Sequence, residues 1–188
     1  MNNINRYYKK SPITTTLIGI CIIVYIASFL RYGIEMNAIQ GMEFGGYNLF
    51  YVFVCNEYYR IITSQFIHFG ILHLLMNTYS LSGIGAFIES VFSKKNFMII
   101  VVSSLISTTG IPYILFLING FEATVVSGGI SGLVFGMIGS LGALAIVYRD
   151  VFMRVFKQLS SNLILMLVIS FVVPSVSLSG HLSGMIGG

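Results

Sequence analysis

The sequence predicts an all-α polytopic membrane protein, a single domain over residues 1–188, and three observations predict it. Of the 188 residues 56% are hydrophobic and only 9% charged, whereas soluble domains carry about 25% charged residues. Mean hydropathy is +0.90. The apolar residues also fall into runs fit to cross a hydrocarbon core of ~30 Å, which takes roughly 17–25 helical residues. A soluble core could not absorb this much apolar surface, so the lipid bilayer is the first partner implied. The formal net charge of +4 does not point to nucleic acid, because the charges lie in short loops between the runs.

The first span is expected at about 12–30. Pro12 suits a first helical turn. The run is longer than a signal-peptide core and lacks a clear cleavage site, so it reads as an uncleaved helix. An external loop, 31–63, comes next; it holds Glu35, Glu43 and Glu57 and is too polar to span. Its aromatic residues (Phe44, Tyr47, Phe50, Tyr51, Phe53, Tyr58, Tyr59) suit a membrane interface. Further spans are expected at about 64–91, 96–118, 131–148, 162–173 and 178–188, making six. The sixth has only about eleven residues at about 1.5 Å each, too short for the core. It reads as truncated or as ending mid-membrane. Cys21 lies in a span and Cys55 in a loop, so no disulfide framework is expected.

Lys and Arg set the orientation. Arg6, Lys9 and Lys10 precede span one, Lys94 and Lys95 separate spans two and three, and Arg149, Arg154 and Lys157 separate four and five. The opposite loops carry only Arg31 and Arg60, beside Glu35, Glu43, Glu57 and Glu122. The positive-inside rule then makes the N-terminus cytoplasmic. Spans two, four and six all enter from outside, which gathers His73, Ser131 and His181 into one layer near that surface.

Polar groups inside hydrocarbon are expensive and mark functional sites. Asn77 follows His73 by four residues and shares its helix face; the same row continues through Leu81, Gly85 and Glu89. Interhelical hydrogen bonding accounts for such a pair as well as catalysis does. Gly129-Ile130-Ser131-Gly132 places a serine where a glycine-rich loop enters a helix, whose free N–H groups favour a developing oxyanion. Small residues also line close helix contacts. His181 shares a face with Gly184 and Gly188, which would let the sixth helix press against the fourth. A neutral imidazole there suits a general base. Asp150 is the only aspartate and is placed on the cytoplasmic side, so the arrangement would be a Ser–His dyad. His68 and His73 are five apart and no His-Glu-x-x-His occurs, so neither a metal nor a cofactor is expected.

These residues resemble the rhomboid family of intramembrane serine proteases, and the likeness covers most of the chain. It is carried by Glu57-Tyr58-Tyr59-Arg60-Ile61-Ile62-Thr63-Ser64, by His68 and His73-x-x-x-Asn77, and by Gly85-x-x-x-Glu89. Gly129-x-Ser131-Gly132 and Gly180-His181-x-x-Gly184 with Gly188 complete it, in the family's order. The resemblance implies a bacterial-type six-helix bundle around a water-filled cavity open to the outside. Ser131 would be the nucleophile and His181 the general base and acid. His73, Asn77 and the Ser131 N–H would form the oxyanion hole, and Gly128 and Gly129 would line a tight substrate pocket. His68, Phe135, Arg60 and Glu89 would support the site. Substrates would be single transmembrane segments of other proteins, cut near their external end, in a bacterial cytoplasmic membrane. Two positions depart from the family. Tyr59-Arg60 stands where Trp-Arg is common, and Phe135 stands where a tyrosine commonly packs on the histidine.

Two other functions compete. A non-catalytic rhomboid-like protein would bind transmembrane clients, but such proteins typically lose the serine or the histidine. A small transporter would carry charged pathway residues and internal repeats, and the sequence has neither.

Overall fold

The computed structural model describes residues 10–119, 126–158 and 177–188. Three helices in it are long and apolar enough to cross a membrane. They are α1 (Pro12–Tyr32, mean hydropathy 2.3), the composite helix Ile71–Val91 (1.3) and Lys94–Asn119 (1.9). The fold is that of a helical membrane protein. The span expected at 162–173 lies outside the described residues.

Between α1 and the composite helix the chain makes short pieces rather than a plain loop. These are α2 (Ala38–Glu43), α3 (Leu49–Phe53) and α4 (Arg60–Thr63), the last running into a 3-10 turn at Ser64–Phe66. Asn37 and Gln40 start α2 with a reciprocal capping box, and Asn48 caps α3. Arg60 holds the segment together. It is 4% exposed, donates from Nη1 to the carbonyls of Met42 (2.7 Å) and Gly46 (2.8 Å), and pairs through Nε with Glu57. Its guanidinium also lies 4.5 Å from the Tyr51 ring centroid. Hydrogen bonds from Arg60 and Tyr59 hold the Glu57 carboxyl below its ordinary pKa.

The second span begins later than the apolar run suggests. Ile67 and Gly70 are extended, so the helix α5 starts at Ile71 and ends at Ser80. Residues 64–66 belong to the preceding turn, and His68 stands in the link, not on the helix. A π turn, Leu81–Gly85, then joins α5 to α6 (Ala86–Val91). Such a turn bonds i to i+5 and rotates the next helical segment about the axis, so Asn77, Leu81, Gly85 and Glu89 do not continue as one uninterrupted α-helical row.

Glu89 anchors the far end of this span to α1. Its carboxylate accepts from the Ile13 and Thr14 N–H groups (2.9 and 2.8 Å) and from Thr14 Oγ1 (2.7 Å). The N-terminus of α1 has no side-chain cap of its own from Ser11. A carboxylate from a neighbouring helix meets its free donors and its positive dipole end instead.

The third long helix is α7 (Lys94–Asn119), followed by α8 (Ser131–Val147) and, at the end of the described chain, α9 (Leu178–Gly187). Residues 149–158 are also helical. Leu133, Val134, Met137, Ile138 and Leu141 of α8 are buried in the core beside α7 and the second span. Between α8 and α9 glycines bring the backbones together. A Cβ on Gly184 would collide with the Gly132 carbonyl, one on Gly139 with the Met185 carbonyl, and one on Gly188 with the Gly136 carbonyl. Close backbone approach through small residues is how helices associate where no hydrophobic drive separates protein from lipid.

Candidate active site

Ser131 is the first residue of α8, and His181 lies in the first turn of α9. The glycine contacts between these helices carry the two side chains into reach. His181 Nε2 lies 2.6 Å from Ser131 Oγ. Phe135, one turn below Ser131, stacks on the imidazole with centroids 4.3 Å apart and planes 13° from parallel. His181 is 5% exposed and Phe135 fully buried. The stacked ring lies flat against the imidazole that meets the hydroxyl.

The loop into α8 is held on three sides. Tyr47 pairs with Ser127 in an isolated antiparallel bridge (2.8 and 2.9 Å), and its hydroxyl donates to the Thr109 carbonyl of α7 (3.0 Å). The Gly129 N–H donates to the Ser64 carbonyl (3.1 Å). Gly129 has φ of +109°, which glycine adopts without strain. A Cβ there would lie 2.8 Å from His73 Nε2 and 3.4 Å from Asn77 Nδ2. On Gly128 it would lie 2.9 Å from the Ile67 carbonyl. The chain's own atoms therefore fill the space that side chains at Gly128 and Gly129 would take. The glycines let the loop lie flush against the second span.

His73 and Asn77 thus share one face of α5 and both point at the loop two residues before Ser131. The Phe69 N–H reaches His73 Nδ1 at 3.5 Å. A nitrogen that accepts an N–H carries no proton, so in the neutral ring Nε2 is the protonated one and faces the loop as a donor. His68 is different. It is fully buried, its Nδ1 lies 3.1 Å from the Phe66 carbonyl, and its ring meets that of His73 edge-on at 5.0 Å. It backs His73 and does not reach Ser131 by any hydrogen bond in the structure. Arg60 and Glu89 lie outside the cluster, one bracing the external segment and the other the far end of the second span. Among the described residues no group of three His, Cys, Asp or Glu side chains is placed to hold a metal ion.

Sequence reasoning gave Tyr47, Ser64, Phe69 and Thr14 no role in holding the site or the helices around it. The first three act partly through backbone atoms, which leave no residue-type signal. Thr14 carried a faint one, since Thr14-Thr15-Thr16 is an unusually polar start for an apolar helix.

The helical architecture and the apolar spans define a polytopic membrane protein, with a serine and a histidine paired between two helix starts. The family profile of the Rhomboid domain matches residues 55–188, and the chain belongs to the rhomboid family. It is also 32% identical over 103 residues to Rhomboid protease GluP of Bacillus subtilis (strain 168). That match takes in 52% of this chain and 18% of the relative, so the chain spans under a fifth of that protein's length.

Proposed function

We propose that the protein is an intramembrane serine endopeptidase that cleaves single transmembrane segments of other proteins with a Ser131–His181 dyad. The observation that carries this reading is the 2.6 Å approach of His181 Nε2 to Ser131 Oγ. Membership of the rhomboid family and the likeness to a rhomboid protease support it.

In the proposed reaction His181 Nε2 takes the Ser131 proton as Oγ attacks the scissile carbonyl. The charge that develops on the carbonyl oxygen is met by His73 Nε2–H, Asn77 Nδ2–H and the Ser131 N–H, which lies in the first turn of α8 and has no intrahelical acceptor. The imidazolium returns its proton to the departing amine. Water then attacks the acyl-enzyme with His181 again acting as base. The reading includes a six-helix bundle in a bacterial cytoplasmic membrane, with a cytoplasmic N-terminus and the dyad near the external surface. A purely client-binding role would not require the hydroxyl and imidazole to be paired. The test is incubation of purified protein with a transmembrane-segment reporter, wild type beside Ser131→Ala. Cleavage by the wild type alone is expected, and equal cleavage by both would refute the assignment.

A further inference from the structure

At the end of the second span away from His73, an apolar notch of about 310 Å³ opens on the outer surface of the helices. Pro12, Ile13, Thr16 and Leu17 of α1 form one wall, and Met98 and Val101 of α7 the other. Lys94 precedes Met98 by one helical turn on the same face. Lys10 precedes Pro12 by two residues. Both lysines are exposed, Lys10 just ahead of the helix that forms one wall of the groove and Lys94 at the start of the other, and among the described residues neither forms an ion pair.

The surrounding charges favour an anion there. α7 also begins at this end, so the partial positive charge of its N-terminus adds to the lysines. Lys95 lies next along α7 and is also exposed. The opposing charge is Glu89, but it is buried and turned inward onto the Ile13 and Thr14 donors. A topological signal needs lysines only near the end of a span. It does not need them above an apolar groove.

We propose that this notch binds an anionic diacyl phospholipid, one acyl chain lying along the α1–α7 groove and the headgroup phosphate meeting Lys10 and Lys94. The groove would take the chain of a zwitterionic lipid equally well, so the lysines supply the selectivity. The inference rests on membrane insertion and is independent of the chemistry of Ser131.

The sequence contains no tryptophan, so one introduced indole reports its surroundings without background. Thr16→Trp puts it at the exposed lip of the notch. Ile146→Trp puts it at an exposed position of α8 (the wild-type isoleucine is 80% exposed) toward the same end, away from the notch. Each full-length variant, checked for helical content, is placed in phosphatidylcholine bilayers doped with brominated phosphatidylglycerol or brominated phosphatidylcholine. Quenching at Thr16→Trp is expected to favour the anionic lipid by up to about fivefold per lysine, and by clearly more than at Ile146→Trp. Adding Lys10→Gln and Lys94→Gln should return the ratio at Thr16→Trp to that at Ile146→Trp. Equal quenching by the two lipids, the same anionic preference at both positions, or a preference that survives loss of both lysines would each overturn the proposal.

Discussion

Phe135 lies face to face with His181, rings 4.3 Å apart, one turn below the serine that His181 contacts. The ring supplies a flat apolar wall and no hydrogen bond. Stacking therefore contributes to the orientation of the imidazole, worth roughly 0.5–1.5 kcal/mol beyond burial. Phe135→Leu should slow fluorophosphonate labelling of Ser131 by about 3–10-fold at matched folded protein. Phe135→Tyr keeps the stack and should stay within a few-fold of wild type. A labelling rate unchanged by Phe135→Leu would mean that the ring only fills space.

Ser131→Ala and His181→Ala should each reduce cleavage by roughly 10⁴-fold or more, and the double variant should be no worse than either single one, because such groups act as a unit. Turnover of a transmembrane reporter, normalised to folded protein, measures this. Additive losses would argue against a dyad.

Asn77→Ala should cost about 10²–10³-fold in kcat, the usual effect of losing one preorganised oxyanion donor. His73→Ala should cost more, since His73 also packs against His68 and Phe69. KM should change little in Asn77→Ala. Wild-type kcat for that variant would remove Asn77 from the site.

Glu89 should matter for stability and not for chemistry. Glu89→Ala leaves the buried Thr14 N–H and hydroxyl, with the Ile13 N–H, short of an acceptor, at a cost of about 1–3 kcal/mol. Unfolding in a mild detergent should come earlier, with activity per folded molecule preserved. Glu89→Gln, which keeps one carbonyl oxygen, should lose less. An unchanged midpoint for Glu89→Ala would show the cap to be dispensable.

Substrates should carry helix-weakening residues near the external end of their span, with a small residue before the cleaved bond. A helix in hydrocarbon keeps its polar groups bonded internally, so a reachable carbonyl requires local unwinding beside polar surroundings. Replacing those residues by Leu should sharply lower the cleavage rate without altering insertion. Mass spectrometry of the product termini reads the position, and cleavage at the cytoplasmic end would contradict the proposed orientation.

Much of the helical pattern was legible because burial in lipid writes itself as long apolar runs. The helices at Pro12, Lys94 and Ser131 begin within about two residues of the expected starts. Ser131 and His181 stood out because a polar residue beside glycines in an apolar run is conspicuous, and the glycines are what bring them together. The break at Ile67–Gly70 was not legible, since Ile67, Phe69 and Ile71 continue the apolar run while the backbone turns extended. The π turn left no mark either, because Leu81 to Gly85 differ little in composition from an α-helical stretch. Glu89 could be named but its partner could not. Thr14 is 75 residues away in sequence, and only the fold makes them neighbours.

The contact of α8 with α9 through Gly132, Gly136, Gly139, Gly184 and Gly188 has a consequence for how this sequence can vary. At an ordinary helix interface side chains form a compressible layer, and a swap on one side is absorbed by a rotamer change on the other. Here main chain rests on main chain, so a single added methyl at Gly139, Gly184 or Gly188 would meet a backbone carbonyl first. Those positions are frozen by geometry alone, even though none carries a functional group. In a mutational scan they should fall as silent as Ser131 itself, and rescue by a second substitution should be hardest there, because a backbone has no smaller version to mutate to.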